Sequence, residues 1–513
     1  MPVKERQYVP DILECLAQLS SDEVPTPPKL ANAMLDLLPA EVWSKPDYRW
    51  CDPCSKSGVF LREIVKRLLF EGLVDWEPNF EKRREHIFHN MIFGCGITQL
   101  TGIISRRTVY YSRHAAGEHS VIRMESDDGN IPFVRAEHDF NGGRCTICSA
   151  PEDLERGSDR ENYAYAFIHG AYPTEEMEDM TFDIIVGNPP YQLGASGGDS
   201  PGGFAMPLYQ RFVEKAIEMD PRYVLMITPS RWFAGGRNLE AYRDRMLADR
   251  HMRRLVDFPN AGECFPGNEI KGGVSYFLWD REHEGPCEVT TIRDGELVGE
   301  TTSRNLDAYD VLVRYNQGVT ILEKIWPDGP DDSALSARVS PIQPFSIRTN
   351  FRGKSKPDGL TNPVGLYGNG GVTYIEREDV PRNDDWVDEW KVLLGRAYGA
   401  GEAIPHQITN VPIVAPPDTA CTETYLVINR FSNENHARRF AAYLSTRFVR
   451  FLISLRKNTQ DIYSERFAFV PDLAMDHDWT DADLYARYGL TDQEIKFIES
   501  QVRGMSAPES VEA

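Results

Sequence analysis

The chain has 513 residues, enough for roughly two to four domains. Its composition, 41% hydrophobic and 26% charged, is globular and excludes a collagen, a coiled coil or a disordered chain as descriptions of the whole. A formal net charge of −22 excludes a protein that coats nucleic acid indiscriminately, though not an enzyme with a local basic cleft.

No apolar run approaches the roughly 20 residues that span a bilayer, so no membrane association is expected. Met1–Pro10 carries charges where an export signal has an apolar core, which fits a cytoplasmic protein. Nine cysteines over this length are too sparse for a disulfide scaffold and suit a reducing compartment.

In chain order, Asp11–Leu19 has helical apolar spacing, and the breakers Pro25-Thr26-Pro27-Pro28 precede a second helix over Leu30–Leu38. Arg49-Trp50-Cys51 leads into the loop Asp52–Gly58, and Phe60–Leu69 follows at helical spacing, which makes a strand–loop–helix unit. Met91–Cys95 reads as a strand and Thr101–Tyr110 as a helix. Gly117–Gly170 is a polar insertion. Thr181–Val186 is a short apolar run of the buried parallel-strand type, ending in Gly187-Asn188-Pro189-Pro190-Tyr191.

After a Gly/Ser loop (193–203), helices at Leu208–Met219 and Leu239–Ala248 alternate with strands at Tyr223–Thr228, Leu255–Phe258 and Val274–Trp279. This alternation predicts an α/β fold with a doubly wound parallel sheet. Beyond Asp328-Gly329-Pro330-Asp331 the pattern turns Gly-, Pro- and aromatic-rich, then helical over Glu434–Leu455. The expected organisation is therefore a domain over 1–330 with the insertion at 117–170, an α+β region over 331–505, and a disordered tail over 506–513.

Asn188-Pro189-Pro190-Tyr191 carries the sharpest chemical content. Ligands of open α/β sheets bind in the crevice outside the carboxyl ends of the strands, where this loop falls. The Asn188 side-chain oxygen and the Pro189 carbonyl can each accept a hydrogen bond from one exocyclic amine, which leaves the nitrogen lone pair free to attack. Two prolines stiffen the turn, and Tyr191 can stack on the ring bearing that amine. The arrangement suits methyl transfer to the amino group of a heterocycle taken out of its stack. A turn with no more than a structural role is the competing reading.

These residues resemble the amino-methyltransferases of restriction–modification systems, and specifically the Eco57I-like adenine-N6 methylases, over about Pro25–Trp279. Asp183-Ile-Ile-Val-Gly-Asn-Pro-Pro-Tyr191 is similar to the family's catalytic motif without a mismatch. Asp52-Pro53-Cys54-Ser55-Lys56-Ser57-Gly58-Val59-Phe60 resembles its S-adenosyl-L-methionine loop, and Pro25-Thr26-Pro27 its N-terminal cofactor motif. The resemblance implies a Rossmann-like sheet with a C-terminal target-recognition domain. It also implies cofactor contacts from Thr26, Pro27, Asp52, Pro53, Cys54, Lys56, Gly58, Phe60 and Asp183. Leu225–Phe233 and Lys271–Leu278 resemble the target-base side, with Tyr276 or Phe277 able to stack on the base and core packing expected of one of them. Two positions depart from the pattern: Lys56 stands in place of a glycine, and Gly96 in place of the acid that grips the cofactor ribose. If position 56 needs a positive φ, Lys56 costs strain, although its amine can reach the cofactor carboxylate.

Cys145-Thr-Ile-Cys148 has zinc-knuckle spacing, and His138 and His169 are the nearest candidates to complete a Cys2His2 set. Two ordinary buried thiols, or a His169 at the sheet edge near the cofactor, are the alternatives. In the near-neutral C-terminal region, Arg438, Arg439, Arg447, Arg450, Arg456 and Lys457 recur beside an apolar helical face, as phosphate-facing guanidinium groups would. A merely solvated face fits equally. Arg348, Arg352, Lys354 and Lys356 form a second basic stretch on a loop that can enter a groove.

The resemblance thus implies an S-adenosylmethionine-dependent transfer of methyl to N6 of a flipped adenine in double-stranded DNA, within a restriction–modification or related defence system. No domain's worth of residues remains for a fused nuclease once the two regions are assigned, and a separately encoded restriction endonuclease is compatible with that organisation. The alternatives are methylation of another amine (cytosine N4, RNA adenine or a protein glutamine), or a catalytically weak DNA-binding relative with an altered cofactor pocket.

Overall fold

A computed structural model describes residues 24–152, 165–177, 180–192, 206–236, 238–399, 404–457 and 460–505. The expected helix at Asp11–Leu19, the Gly/Ser loop at 193–203 and the tail over 506–513 lie outside these residues.

Strand β1 (Trp50–Ser55) is buried along its whole length, and it continues through the Asp-Pro step where the sequence suggests a loop. Pro53 has no N–H for the ladder, and the register against β2 (Ile92–Gly96) slips between Asp52 and Ser55. Between them lie helices Val59–Arg67 and Phe80–His86; the second, capped by Asn79, has no clear sequence signal. Helix Gln99–Tyr110 follows β2 and opens with a capping box between Thr98 and Thr101. The insertion is fastened to the sheet: Gly94 and Gly96 of β2 donate backbone N–H bonds to the carbonyls of Asn130 and Pro132. A short hairpin, β3 (Phe140–Asn141) and β4 (Arg144–Cys145), comes next.

Strands β5 (Ile184–Gly187), β6 (Tyr223–Pro229), β7 (Met252–Phe258), β8 (Val274–Asp280), β9 (Cys287–Arg293), β10 (Glu296–Leu297) and β11 (Thr302–Arg304) complete a nine-stranded sheet. Its order is β10-β9-β7-β8-β6-β5-β1-β2, with β11 pairing β9. The interior is α/β and doubly wound: β2, β1, β5 and β6 are parallel, and the chain leaves β1 in one direction and β5 in the other. The doubly wound sheet is mainly parallel at its centre, and β8 runs antiparallel to both β6 and β7.

The chain divides between Asp310 and Val311, ahead of the Asp328–Asp331 turn where the sequence places the boundary. Helix Asn316–Ile325 belongs to the second unit: Lys324 pairs with Glu494 at 2.6 Å, and the Tyr315 ring meets Phe497. No Gly or Pro marks this junction, so composition misplaces it. The second unit is α+β. A sheet of β12 (Pro363–Gly368), β13 (Gly371–Glu376) and β16 (Thr419–Cys421) accompanies one of β14 (Trp390–Gly395), β15 (Ile413–Ala415) and β17 (Tyr425–Phe431). The helical stretch expected over Glu434–Leu455 is two helices, Glu434–Ser445 and Arg447–Ser454. Thr446 is extended between them, and its hydroxyl caps the second.

Candidate active site

The topological switch between β1 and β5 puts their two carboxyl ends side by side. A Cβ on Gly187 would lie 2.7 Å from Cys54 Sγ, so only glycine permits this approach. The next residue, Asn188, is buried at 4% exposure. Its Nδ2 donates to the Val24 carbonyl at 2.8 Å and to Thr26 Oγ1 at 3.1 Å. With both amide protons taken, the orientation of the side chain is determined. Its Oδ1 is buried and has no hydrogen-bond partner among the described residues. A buried acceptor left bare costs stability, which marks it as a group shaped for a donor from outside the chain.

Thr26, Asp52, Cys54, Lys56, Gly58, Phe60 and Asn188 line one cavity with Ser57 and Val59. Asp52 accepts the Cys54 N–H at 3.2 Å, and burial pushes its carboxyl up to about 7. Lys56 Nζ lies 3.4 Å from the Val24 carbonyl and 6.0 Å from the centre of the Tyr191 ring. The left-handed backbone in this loop falls on Gly58 (φ +72), where a Cβ would also press on the Ser105 backbone at 3.0 Å. Lys56 is absent from the residues with positive φ, so it carries no such strain. An acid and an ammonium in one cavity, beside an uncommitted acceptor, complement a zwitterionic amino-acid group. Pro27 caps helix Pro28–Leu35, and Pro53 is part of β1; neither lines the cavity.

Asp183 requires a correction. It precedes β5 at the opposite end of the strand from Asn188, and its Oδ2 accepts the Arg49 N–H at 2.9 Å. The carboxylate fastens the entry to β1 rather than contacting the crevice. Gly96 is explained by packing: a Cβ there would lie 2.6 Å from Gly102 Cα, so the acid of the family pattern has no room.

Tyr191 is half-buried, its ring edge-on to Phe265 at 6.4 Å, and burial pushes its phenol well above the ordinary range. Phe277 is fully buried and Tyr276 is 5% exposed against Phe258, so both pack in the core. Sequence reasoning missed two features. The Val24 carbonyl serves both Asn188 and Lys56. Ser230 donates to the buried Asp257 at 2.6 Å just past β6. A main-chain acceptor has no sequence signature, whereas Thr-Pro-Ser at Thr228–Ser230 was visible.

His138, Cys145, Cys148 and His169 do converge, with one ligand atom from each within 4.8 Å of every other.

The basic residues do not form the single outer face expected of them. Arg450 is fully buried, its Nε giving bonds to the Ser445 and Thr446 carbonyls and its Nη1 to Gln407, and burial pushes it down to about 10. Arg456 is 4% exposed, its guanidinium 4.7 Å from the Phe469 ring. Arg438, Arg439 and Arg447 pair with Glu434, Asp478 and Glu499, and Lys457 donates to the carbonyls of Tyr398 and Gly399. The break at Thr446 rotates the second helix, so spacing counted across it misassigns the faces. Arg348, Arg352, Lys354 and Lys356 are exposed; Arg352 donates to the carbonyls of Thr349 and Phe351.

Residues 90–265 match the family model described as Eco57I restriction-modification methylase. The chain is 33% identical over 349 residues to an uncharacterized adenine-specific methylase of Mycoplasma pneumoniae, covering 62% of this chain and 81% of that protein. Among solved structures it is similar to DrdV in a complex with DNA (12% identity, TM-score 0.46, 95% of this chain and 58% of that one). It is also similar to the type I restriction–modification methyltransferase subunit from Streptococcus thermophilus (14% identity, TM-score 0.34, 56% and 52%). The chain spans little more than half the length of these two solved proteins.

Proposed function

The chain belongs to the adenine-specific methylases of the Eco57I restriction–modification kind, and from that premise we propose that it methylates N6 of adenine in double-stranded DNA. The observation that carries the reading is the bare, buried Asn188 Oδ1, whose orientation the Val24 carbonyl and Thr26 hold.

The target adenine, flipped from the duplex, would place its ring against Tyr191 and its amine on Asn188 Oδ1 and the Pro189 carbonyl. Two acceptors on one amine hold both N–H groups in plane and direct the nitrogen lone pair along one line. S-adenosyl-L-methionine, when bound, supplies a methyl on a positively charged sulfur, which leaves as a neutral thioether when the nitrogen takes the methyl. Lys56 and Asp52 would hold the carboxylate and amino group of that cofactor, and Gly58 lets the backbone come close. The methylated amine loses its extra proton readily to water, so positioning matters more than a strong base.

DNA contacts are assigned to the exposed Arg348, Arg352, Lys354 and Lys356, with the surface groups Arg438, Arg439 and Arg447 in support. The setting is a restriction–modification or related defence system with a separately encoded endonuclease, in the cytoplasm. Among the described residues, no helix is long and apolar enough to cross a membrane.

The test is transfer of labelled methyl from S-adenosylmethionine to mixed genomic DNA, with nucleoside analysis and Asn188→Ala alongside. N6-methyladenine from the native chain, lost in the variant, supports the proposal. N4-methylcytosine, label only in RNA, or no label with the cofactor bound would each overturn it.

A further inference from the structure

We propose that His138, Cys145, Cys148 and His169 hold a structural zinc ion that fastens the β3–β4 hairpin to the turn ending at Gly170. The four ligand atoms come from two separate stretches of chain yet lie within 4.8 Å of one another, and both cysteines are buried. In a tetrahedral site with Zn–S about 2.3 Å and Zn–N about 2.0 Å, ligand atoms sit roughly 3.3–3.8 Å apart. Cys148 Sγ and His138 Nδ1 are already at 3.3 Å, within that range.

The backbone around the cysteines is shaped to aim both sulfurs to one side. Ser149 N–H donates to the Cys145 carbonyl at 3.0 Å, Cys145 N–H donates to that of Ala150 at 2.8 Å, and Ser149 takes a left-handed φ of +60. Ile147 N–H points at Cys145 Sγ from 3.4 Å, which holds that sulfur in place. His169 Nδ1 lies 3.2 Å from the Glu137 carbonyl. A carbonyl can only accept, so Nδ1 is the donor there and Nε2 the ligand atom, as in histidines oriented for a metal.

A metal also accounts for how this hairpin holds its shape. Its strands have two residues each, and Phe140, Asn141 and Arg144 are exposed, so it buries too little apolar surface to be stable by itself. The chain on both sides is anchored to the sheet, by Asn130–Pro132 along β2 and by Tyr172, which receives the Cys51 thiol proton beside β1. Four protein ligands leave no open position, so the ion is structural and takes no part in methyl transfer. Two sulfurs and two imidazoles favour zinc over magnesium or calcium.

The test uses the full chain purified without chelator or added metal, with metal content by mass spectrometry and zinc-edge X-ray absorption. About one zinc per chain, bound by two sulfurs and two nitrogens, is expected, falling below about a tenth in Cys148→Ser but unchanged in Cys287→Ser. If Cys148→Ser fails to fold, mercurial modification of the native protein should release the zinc stoichiometrically to a colorimetric chelator. A protein with under about a tenth of an equivalent, even after incubation with zinc salt, would overturn the proposal. So would stoichiometric iron, a Cys145–Cys148 disulfide in the unreduced mass, or a folded Cys148→Ser that keeps its zinc.

Discussion

Thr26 and Asn188 stand 162 residues apart in the chain, yet Asn188 Nδ2 donates to Thr26 Oγ1 at 3.1 Å. Thr26 therefore orients the Asn188 amide as well as lining the cavity it shares with Asp52 and Lys56. Thr26→Val removes that acceptor and leaves the shape. One such bond is worth about 1–1.5 kcal/mol, so kcat should fall about ten-fold with little change in the KM for the cofactor. Thr26→Ser should restore most of it. Equal loss in both variants would show that packing, not the hydroxyl, is what matters.

Asp52 should make the empty protein less stable as pH rises. Burial pushes its folded-state carboxyl up to about 7, whereas in the unfolded chain it titrates near 4. Between these values the folded state keeps a proton that the unfolded state gives up. Stability then drops by about 1.4 kcal/mol per pH unit across the window and levels off above it. In Asp52→Asn the drop should vanish, leaving a higher Tm at pH 8, checked by thermal melts from pH 5 to 8. The same variant should bind S-adenosylmethionine more weakly at pH 8 in calorimetry, because it lacks the carboxylate for the amino group.

Lys56 is expected to bind cofactor rather than shape the loop. Lys56→Ala should raise the Kd for S-adenosylmethionine about ten-fold and leave Tm within about a degree, since one charge-assisted contact is lost and no strain relieved. Lys56→Gly should behave alike, because the left-handed position is Gly58. A gain in affinity for the glycine variant would sink this assignment.

The arginines should separate into two groups. Arg450→Ala removes a buried guanidinium that satisfies three carbonyls, and should cost about 3 kcal/mol, seen as a Tm lower by several degrees. Arg352→Ala should leave Tm unchanged, weaken DNA binding, and lower the slope of log K against log salt by about 1. Binding titrations at several salt concentrations decide it.

The sequence by itself determined the loop that follows β5, the strand–turn–helix after Trp50 and the alternation that makes a doubly wound sheet, because each is local. Asn-Pro-Pro-Tyr follows its own strand, Asp52–Phe60 is one strand–turn–helix, and hydrophobic period reports burial within a segment. It also picked the four His and Cys residues, since spacing limits which ligands can meet. What it left undecided depends on contacts between distant segments. Asp183 belongs to the matched motif, but the four residues of β5 put its carboxylate at the far end from Asn188. Arg450 looks like a surface cation until the break at Thr446 turns it inward. The direction of β8, the room denied to an acid at Gly96, and the Val24 carbonyl that orients Asn188 are all settled by which backbones come to lie side by side. That pairing is a property of tertiary packing, which no residue's own neighbours in the chain encode.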